Sequence, residues 1–171
     1  CLLQDRTDVR GRAMNLDTMN DNRLEQLFRN CLAAIMENKP NKADAETLIG
    51  EINAVWQKRL SAAEAGDYKA ESPEIGVLKT AGYKVGNDGL ATSARWALLD
   101  HIMSGVLPFV GSPAHMREWG EPNSLARYRK VHRVIASFRT SARNQDWLAK
   151  AFNDWSEDLD YLGREWQHKV S

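Results

Sequence analysis

Apolar residues recur at three- and four-residue steps along most of the chain, which is the spacing of one face of an α-helix. The first run follows Asp21 and stops before residues 38–41, Asn-Lys-Pro-Asn. A second run extends from about Ala43 to Ala65 and is followed by Gly66, a residue type that commonly ends a helix. Because the connection is short, the two helices are predicted to form an antiparallel hairpin.

The middle of the chain predicts a short helix, a loop and a longer helix. Ser72-Pro73 is typical of a helix start, and the short helix is predicted to stop at Gly82. The longer helix begins near Thr92 and is ended by Pro108. Residues 108–123 hold three of the five prolines and two glycines, so we expect an ordered loop with one helical turn.

Two further helices are predicted at the C-terminal end, the first from Ser124 and the second with apolar residues in heptad steps from Leu148 to Trp166. No stretch alternates with a period of two, so no strand is expected. The predicted fold class is all-α, a single compact helical domain of about five to six helices over residues 19–171. Its parts are a helical hairpin (19–66), a short helix, a buried helix and an ordered loop (67–123), and a basic helix packed on an acidic, Trp-rich helix (124–171).

Residues 1–18 lack periodicity and are interpreted as a disordered or non-native leader, with translation starting at Met14 or Met19. The two cysteines, Cys1 and Cys31, fit a reducing compartment, and we expect a cytoplasmic protein. No apolar stretch is long and uninterrupted enough for a signal peptide or a membrane span, so no membrane partner is expected.

The 23 basic and 23 acidic side chains cancel overall, but they are unevenly distributed. Residues 117–143 hold seven Lys or Arg against Glu118 and Glu121, a local net charge of +5, and residues 144–171 have a local net charge of −3. One interpretation is that the two segments pair as antiparallel helices and neutralise each other. The other is that the basic helix contacts nucleic-acid phosphates through Arg129, Lys130, Arg133 and Arg143.

Tryptophan is frequent, with six in the chain. Four of them fall on predicted core stripes: Trp56, Trp96, Trp155 and Trp166. Trp119 and Trp147 do not, and Trp119 lies close to Arg117 in the predicted loop, which makes Arg117 and Trp119 a candidate partner-binding pair. The alternative to nucleic-acid binding is therefore a protein-interaction or oligomerisation module, docking through the Trp119 loop or the C-terminal heptad stripe.

Three glycines punctuate residues 82–90, GYKVGNDGL. A glycine loop can present backbone N–H groups to a phosphate, but this spacing, without a preceding strand, matches neither nucleotide-binding fingerprint. A structural joint is favoured instead. It predicts that Gly82 has positive φ, that residues 87–89 form a turn, and that Tyr83 and Val85 pack inward.

No residue set predicts a catalytic, metal or cofactor site, and the chain is interpreted as non-catalytic. His115 and Glu118 are one helical turn apart, but a metal site needs three or four ligands. Asp100 precedes His101 and is a candidate to orient its imidazole for base chemistry, but on this mostly apolar helix a satisfied, partly buried histidine is the favoured interpretation. These two residues and His115 are the first positions to mutate in a search for activity. Arg95 is the sole basic residue of the helix after the glycine loop, which argues against insertion of that helix into a DNA groove.

Several segments together resemble a group of small uncharacterised bacterial helical proteins: LKTAGYKVG (78–86), GLATSARWALLDHI (89–102), SPAHMREWGEPNS (112–124), the basic RYRKVHRVIASF helix and DWSEDLDYL (154–162). The resemblance covers about residues 48–166. It implies one bacterial helical domain, in which His115 stands where the group has an aromatic residue. It implies no activity, partner or oligomeric state.

Overall fold

A computed structural model of the chain describes residues 15–70 and 76–170, and within these ranges it contains helices and no strand. The predicted all-α class is therefore confirmed. The α-helices are α1 (Asp21–Met36), α2 (Lys42–Ala65), α3 (Val77–Thr80), α4 (Thr92–Ser104), α5 (Pro113–Arg117), α6 (Leu125–Ala142) and α7 (Ala149–Trp166), with short 3-10 helices at Leu16–Thr18, Asp146–Leu148 and Gln167–Lys169.

Side-chain caps explain where two of the long helices begin. The Asn20 side chain accepts the Arg23 backbone N–H at 2.9 Å, so Asn20 caps α1 and Asp21 is its first residue. Ser124 accepts the Arg127 N–H at 3.1 Å and caps α6. At the other end of α2, Gly66 has a φ of 87°, the left-handed conformation expected of a helix-ending glycine.

Two predictions fall partly outside the residues that the structure describes. The predicted start of the short helix at Ser72-Pro73 is among them, and the part that is described is helical over Val77–Thr80. Of the predicted leader, residues 1–14 lie outside the description. Residues 15–18 form a turn in which the Asn15 side chain accepts the Asp17 N–H at 3.1 Å.

The described residues group into two compact units. The first runs to Ala81 and includes Leu107–Pro113; the second contains Gly82–Val106 and the chain from Ala114 onward. The single domain expected over residues 19–171 stays a prediction. None of the helices in the described ranges is long and apolar enough to cross a membrane.

In the first unit α1 and α2 pack along each other as the predicted hairpin. Phe28 meets Trp56 edge to face, with ring centroids 4.8 Å apart, and Leu24 and Ile52 are fully buried beside them. Arg59 is buried at the end of α2. Its guanidinium donates to the Asp21 carboxylate and to the Met19 carbonyl, and the Tyr68 hydroxyl donates to the same carboxylate at 2.8 Å.

In the second unit α6 and α7 pack together, and α4 packs against both. The buried surfaces are apolar, with Val131 and Ile135 of α6, Leu162 of α7, and Leu99 and Ile102 of α4 completely buried. Among the described residues no ion pair joins α6 to α7. The two helices are neighbours, as predicted, but apolar contact rather than opposite charge holds them together.

The glycine loop between α3 and α4 is a joint with a defined turn. Gly82 has a φ of 97°, and the Gly89 N–H donates to the Gly86 carbonyl at 2.9 Å, which confirms the predicted left-handed glycine and turn. Tyr83 is buried as expected, whereas Val85 is only half-buried. A Cβ on Gly89 would lie 2.6 Å from the Val85 carbonyl carbon, so this position has no room for a side chain.

Alanine substitutions at Gly89 of the loop and at Gly163 of α7 should change the free energy of unfolding in opposite directions. Gly89→Ala should destabilise the second unit by about 1–3 kcal/mol, because the new methyl group overlaps backbone. Gly163→Ala, within α7, should stabilise by about 0.5–1 kcal/mol, because nothing lies within 4 Å of its Cβ and alanine has less chain entropy to lose. Urea unfolding followed by circular dichroism measures both. Equal effects would contradict the close approach at Gly89.

Candidate functional site

Arg95 lies at the centre of the largest buried polar network in the described part of the second unit. Its side chain is 1% exposed. Nε donates to both carboxylate oxygens of Asp158, at 2.9 and 3.1 Å, and Nη2 donates to Glu157 at 3.0 Å. Nη1 donates to the Leu90 carbonyl at 3.1 Å and lies 3.5 Å from an Asp154 oxygen. Every nitrogen of the guanidinium is therefore used inside the protein.

Asp158 is the fully buried partner in this network. Besides Arg95 it accepts the Tyr83 hydroxyl at 2.6 Å and the Trp96 indole N–H at 3.1 Å. Burial raises the pKa of Asp158, and the hydrogen bonds from Tyr83 and Arg95 act in the opposite direction. Burial, together with the Asp158 charge, raises the pKa of the Tyr83 hydroxyl, so Tyr83 is a donor across the physiological range.

Asp154 connects the same helix to the glycine loop. Its Oδ2 accepts the Gly86 N–H at 2.9 Å, and Lys150 reaches its other oxygen from one turn earlier in α7. Gly86 has a φ of 87°, the conformation that directs its N–H toward the carboxylate. The loop thus does bind an anion through backbone N–H, but the anion is the protein's own Asp154. The preference for a joint over a phosphate loop agrees with this geometry.

This network is not among the features predicted above from the sequence, although the chain carries a signal for it. Arg95 occupies a core position of α4, one turn before Leu98 and Leu99. Asp154 and Asp158 occupy core positions of α7, on the stripe that continues to Leu162. One cation and two carboxylates on buried stripes of different helices predict a buried ion pair, because an unpaired charge would not be tolerated there.

Arg127 is a second buried guanidinium, and its partners are backbone carbonyls. It is 4% exposed and donates to the Ile102 carbonyl at 2.6 Å, to Trp119 at 2.9 Å and to Gly120 at 2.7 Å. Burial lowers the pKa of Arg127 to about 10, which leaves it charged at neutral pH. Arg127 therefore ties the start of α6 to the end of α4 and to the loop after α5, and it is unavailable to a ligand.

Trp119 lies inside the protein, at 2% exposure, so the expectation that it falls outside the core is wrong. Its indole N–H points to His115 Nε2 at 3.4 Å, and its carbonyl is held by Arg127. The cation over its ring is Lys130, at 5.7 Å from the ring centroid, rather than Arg117, which is exposed. Arg117 is accessible to a partner, whereas the Trp119 ring is covered.

The four basic residues predicted to contact phosphates divide into two kinds. Lys130 is mostly covered and donates to Glu118 at 2.6 Å; this hydrogen bond is the main cause of the lowered pKa of Glu118. Arg129, Arg133 and Arg143 are exposed, and none of the three forms an ion pair with a residue that the structure describes. Three of the four residues thus remain as a candidate contact surface.

The heptad stripe of α7 is mostly internal. Leu159, Leu162 and Trp166 are buried, so the stripe packs within its own unit and is covered against a partner. Two other large apolar side chains are exposed: Phe138 at 44% and Trp147 at 76%. The Phe138 ring lies against Trp155, with ring centroids 5.8 Å apart.

Asp100 does not orient His101. Its carboxylate accepts the Tyr161 hydroxyl at 2.8 Å and the Trp166 indole N–H at 2.8 Å. Burial lowers the pKa of His101. His115 and Glu118 do not gain a third ligand, because no group of three or more His, Cys, Asp or Glu in residues 15–70 and 76–170 is arranged to hold a metal.

The first unit has an open cleft of about 310 Å³, lined by residues 17–20, by Val55, Lys58, Arg59 and Ala62 of α2, and by Tyr68. Its two cations are already engaged, Arg59 by Asp21 and Lys58 by Asp17 at 3.0 Å. The cleft therefore offers a ligand few polar groups that are not paired.

Comparison of the chain with protein-family models, with curated protein sequences and with solved structures found no match. The resemblance over residues 48–166 stays a prediction, and function has to be argued from the geometry of the side chains.

Arg95→Met should destabilise the second unit by about 3–5 kcal/mol, because it leaves two buried carboxylates without their cation. The matched control is Arg129→Met on α6, whose side chain is exposed and forms no ion pair with a described residue; it should cost at most about 0.5 kcal/mol. Adding Asp158→Asn to Arg95→Met should restore part of the loss. Urea unfolding gives the values, and equal costs for the two single variants would refute the central role of Arg95.

Stability should fall as the pH is lowered through the histidine range. Burial lowers the pKa of both His101 and His132, so the unfolded chain binds these protons more readily than the folded one. The stability is complete above the ordinary value of 6.5 and is lost as the pH falls toward the folded-state pKa. His101→Gln should flatten this slope. Urea unfolding of wild type and variant between about pH 5.5 and 7.5 measures this pH dependence. An unchanged slope in the variant would contradict the role given to His101. Above that range the free energies of unfolding of the two proteins should change with pH in the same way.

Proposed function

We propose that the second unit binds nucleic-acid phosphates through the outer face of α6. The observation that carries this proposal is the exposure of Arg129, Arg133 and Arg143 without an ion-pair partner among the described residues. Exposed, unpaired guanidinium groups are suited to phosphate, because their planar donors match its oxygens and their charge displaces condensed counterions.

The three arginines share one face of the helix. At about 100° per residue they fall within an arc of about 80°, opposite the buried Val131 and Ile135. Along the axis, Arg133 follows Arg129 by about 6 Å, and Arg143 follows Arg133 by about 15 Å. A charged row of this length follows a sugar-phosphate backbone and does not read bases, so binding should be independent of sequence.

The position of this face depends on the buried contacts of the same helix. Arg127, two residues before Arg129, is fixed by four backbone carbonyls. Carboxylates of α7 do not form ion pairs with these arginines. Asp154 and Asp158 pair instead with Arg95 and Lys150. Lys130 stands at the edge of the face, where Glu118 already neutralises it, so we expect it to contribute less than the arginines.

The double variant Arg129→Gln/Arg133→Gln tests the proposal. Fluorescence anisotropy with labelled DNA duplexes of two unrelated sequences should show weaker binding to both, with the slope of log K against log salt reduced by about 1.8. The matched control is Arg23→Gln/Lys69→Gln, which removes the same charge from exposed positions of the first unit and should leave the slope unchanged.

Two results would refute the proposal. One is wild-type protein that binds neither duplex nor single-stranded DNA at low salt. The other is a slope that falls equally in both double variants, which would show that net charge rather than the α6 face decides binding.

A further inference from the structure

Trp147 is the most exposed large apolar side chain in the described residues, at 76%. It lies in the 3-10 turn Asp146–Leu148, between α6 and α7. The other five tryptophans are buried or half-buried. Within the described part of the chain the Trp147 ring makes no ring contact, and its N–H makes no hydrogen bond. Most of the indole surface is therefore open to a ligand.

The turn that carries Trp147 is well tied to α6. The Leu148 N–H donates to the Gln145 carbonyl at 2.8 Å, and the Gln145 N–H donates to the Ala142 carbonyl at 3.1 Å. The Gln145 side chain also donates to the Ser141 carbonyl at 2.7 Å. The ring is thus presented by a defined backbone, so little entropy is lost when a ligand covers it.

The chain segment that leads to the ring is cationic. Exposed Arg143 lies four residues before Trp147, a span of at most about 14 Å, and half-buried Arg139 lies one turn earlier. Asp146 is the single acid between residues 139 and 147. Charge complementarity therefore favours a polyanion as the occupant of this position.

An open aromatic face next to guanidinium groups is the combination that binds single-stranded nucleic acid, in which unpaired bases stack on the ring and phosphates meet the cations. In a duplex the base faces are stacked on one another and do not reach an isolated ring. We infer that Trp147 extends the arginine face of α6 with a base-stacking position, so that the preferred ligand is a single strand. This inference rests on the proposed function and specifies its substrate class.

Anisotropy of the full chain with a labelled oligothymidine of about 12 nucleotides, and with a duplex of equal length, tests the inference. Wild type should bind the single strand more tightly than the duplex. Trp147→Ala should weaken single-strand binding by at least about fivefold and duplex binding by less than about twofold. Trp147→Phe should retain most of the affinity, whereas Trp147→Leu, which keeps an apolar side chain without a π face, should resemble the alanine variant. Because the side chain is exposed, circular dichroism should show all variants folded.

The outcomes separate this inference from the proposed function. If Trp147→Ala leaves single-strand binding unchanged while Arg129→Gln/Arg133→Gln weakens it, stacking is refuted and phosphate binding stands. If Trp147→Leu binds as well as wild type, the ring acts as an apolar contact and the inference fails. If wild type binds neither ligand, both fail. Light scattering adds one more refuting result: a dimer that is lost in Trp147→Ala, without nucleic-acid binding, would identify a second copy as the occupant.

Discussion

The second unit depends on one buried cation. Arg95 is completely enclosed and bridges α7, through Asp158, Asp154 and Glu157, to the glycine loop at the Leu90 carbonyl. Removing these charges from water costs free energy. The attraction between Arg95 and the carboxylates offsets that cost only when the groups are well aligned. Such a network contributes less to stability than to uniqueness, because a rotation of α7 about its axis would leave two carboxylates buried and unpaired. The orientation of α7 therefore also determines which side of the adjoining α6 is covered.

Arginine has two opposite uses within this unit. Arg95 and Arg127 are buried and hold elements together, whereas Arg129, Arg133 and Arg143 are exposed. Arg127 is internal and Lys130 is paired with Glu118. Fewer positive side chains of residues 117–143 are therefore accessible to a ligand than the local charge excess suggests. A narrow row of exposed arginines on one helix face remains. A row of this width matches the proposed contact with one sugar-phosphate strand better than a broad basic surface does.

In the glycine loop, anion binding by a backbone N–H serves a structural purpose. Its Gly86 N–H is directed at a negative charge, as in a phosphate-binding loop, but Asp154 fills that place. Tyr83 from the same loop donates to Asp158, so the loop binds both buried carboxylates of α7. The Gly86 N–H is therefore unavailable to an external anion, whereas exposed guanidinium groups remain on α6.

Local signals in the sequence determined the helices, because periodicity, caps and left-handed glycines depend on neighbours within a few residues. They placed α1, α2, α6 and α7 closely, and they predicted the conformation of Gly82 and the turn ending at Gly89. Which partners each buried polar side chain meets was decided by tertiary structure alone. Trp119 and Arg127 look like surface residues on their own segments, whereas Arg95 lies at a core position of α4 and its partner Asp158 is 63 residues away along the chain. The same packing leaves Trp147 and three arginines exposed. The candidate site could therefore be outlined from the sequence, but only the fold defines which of its side chains are accessible.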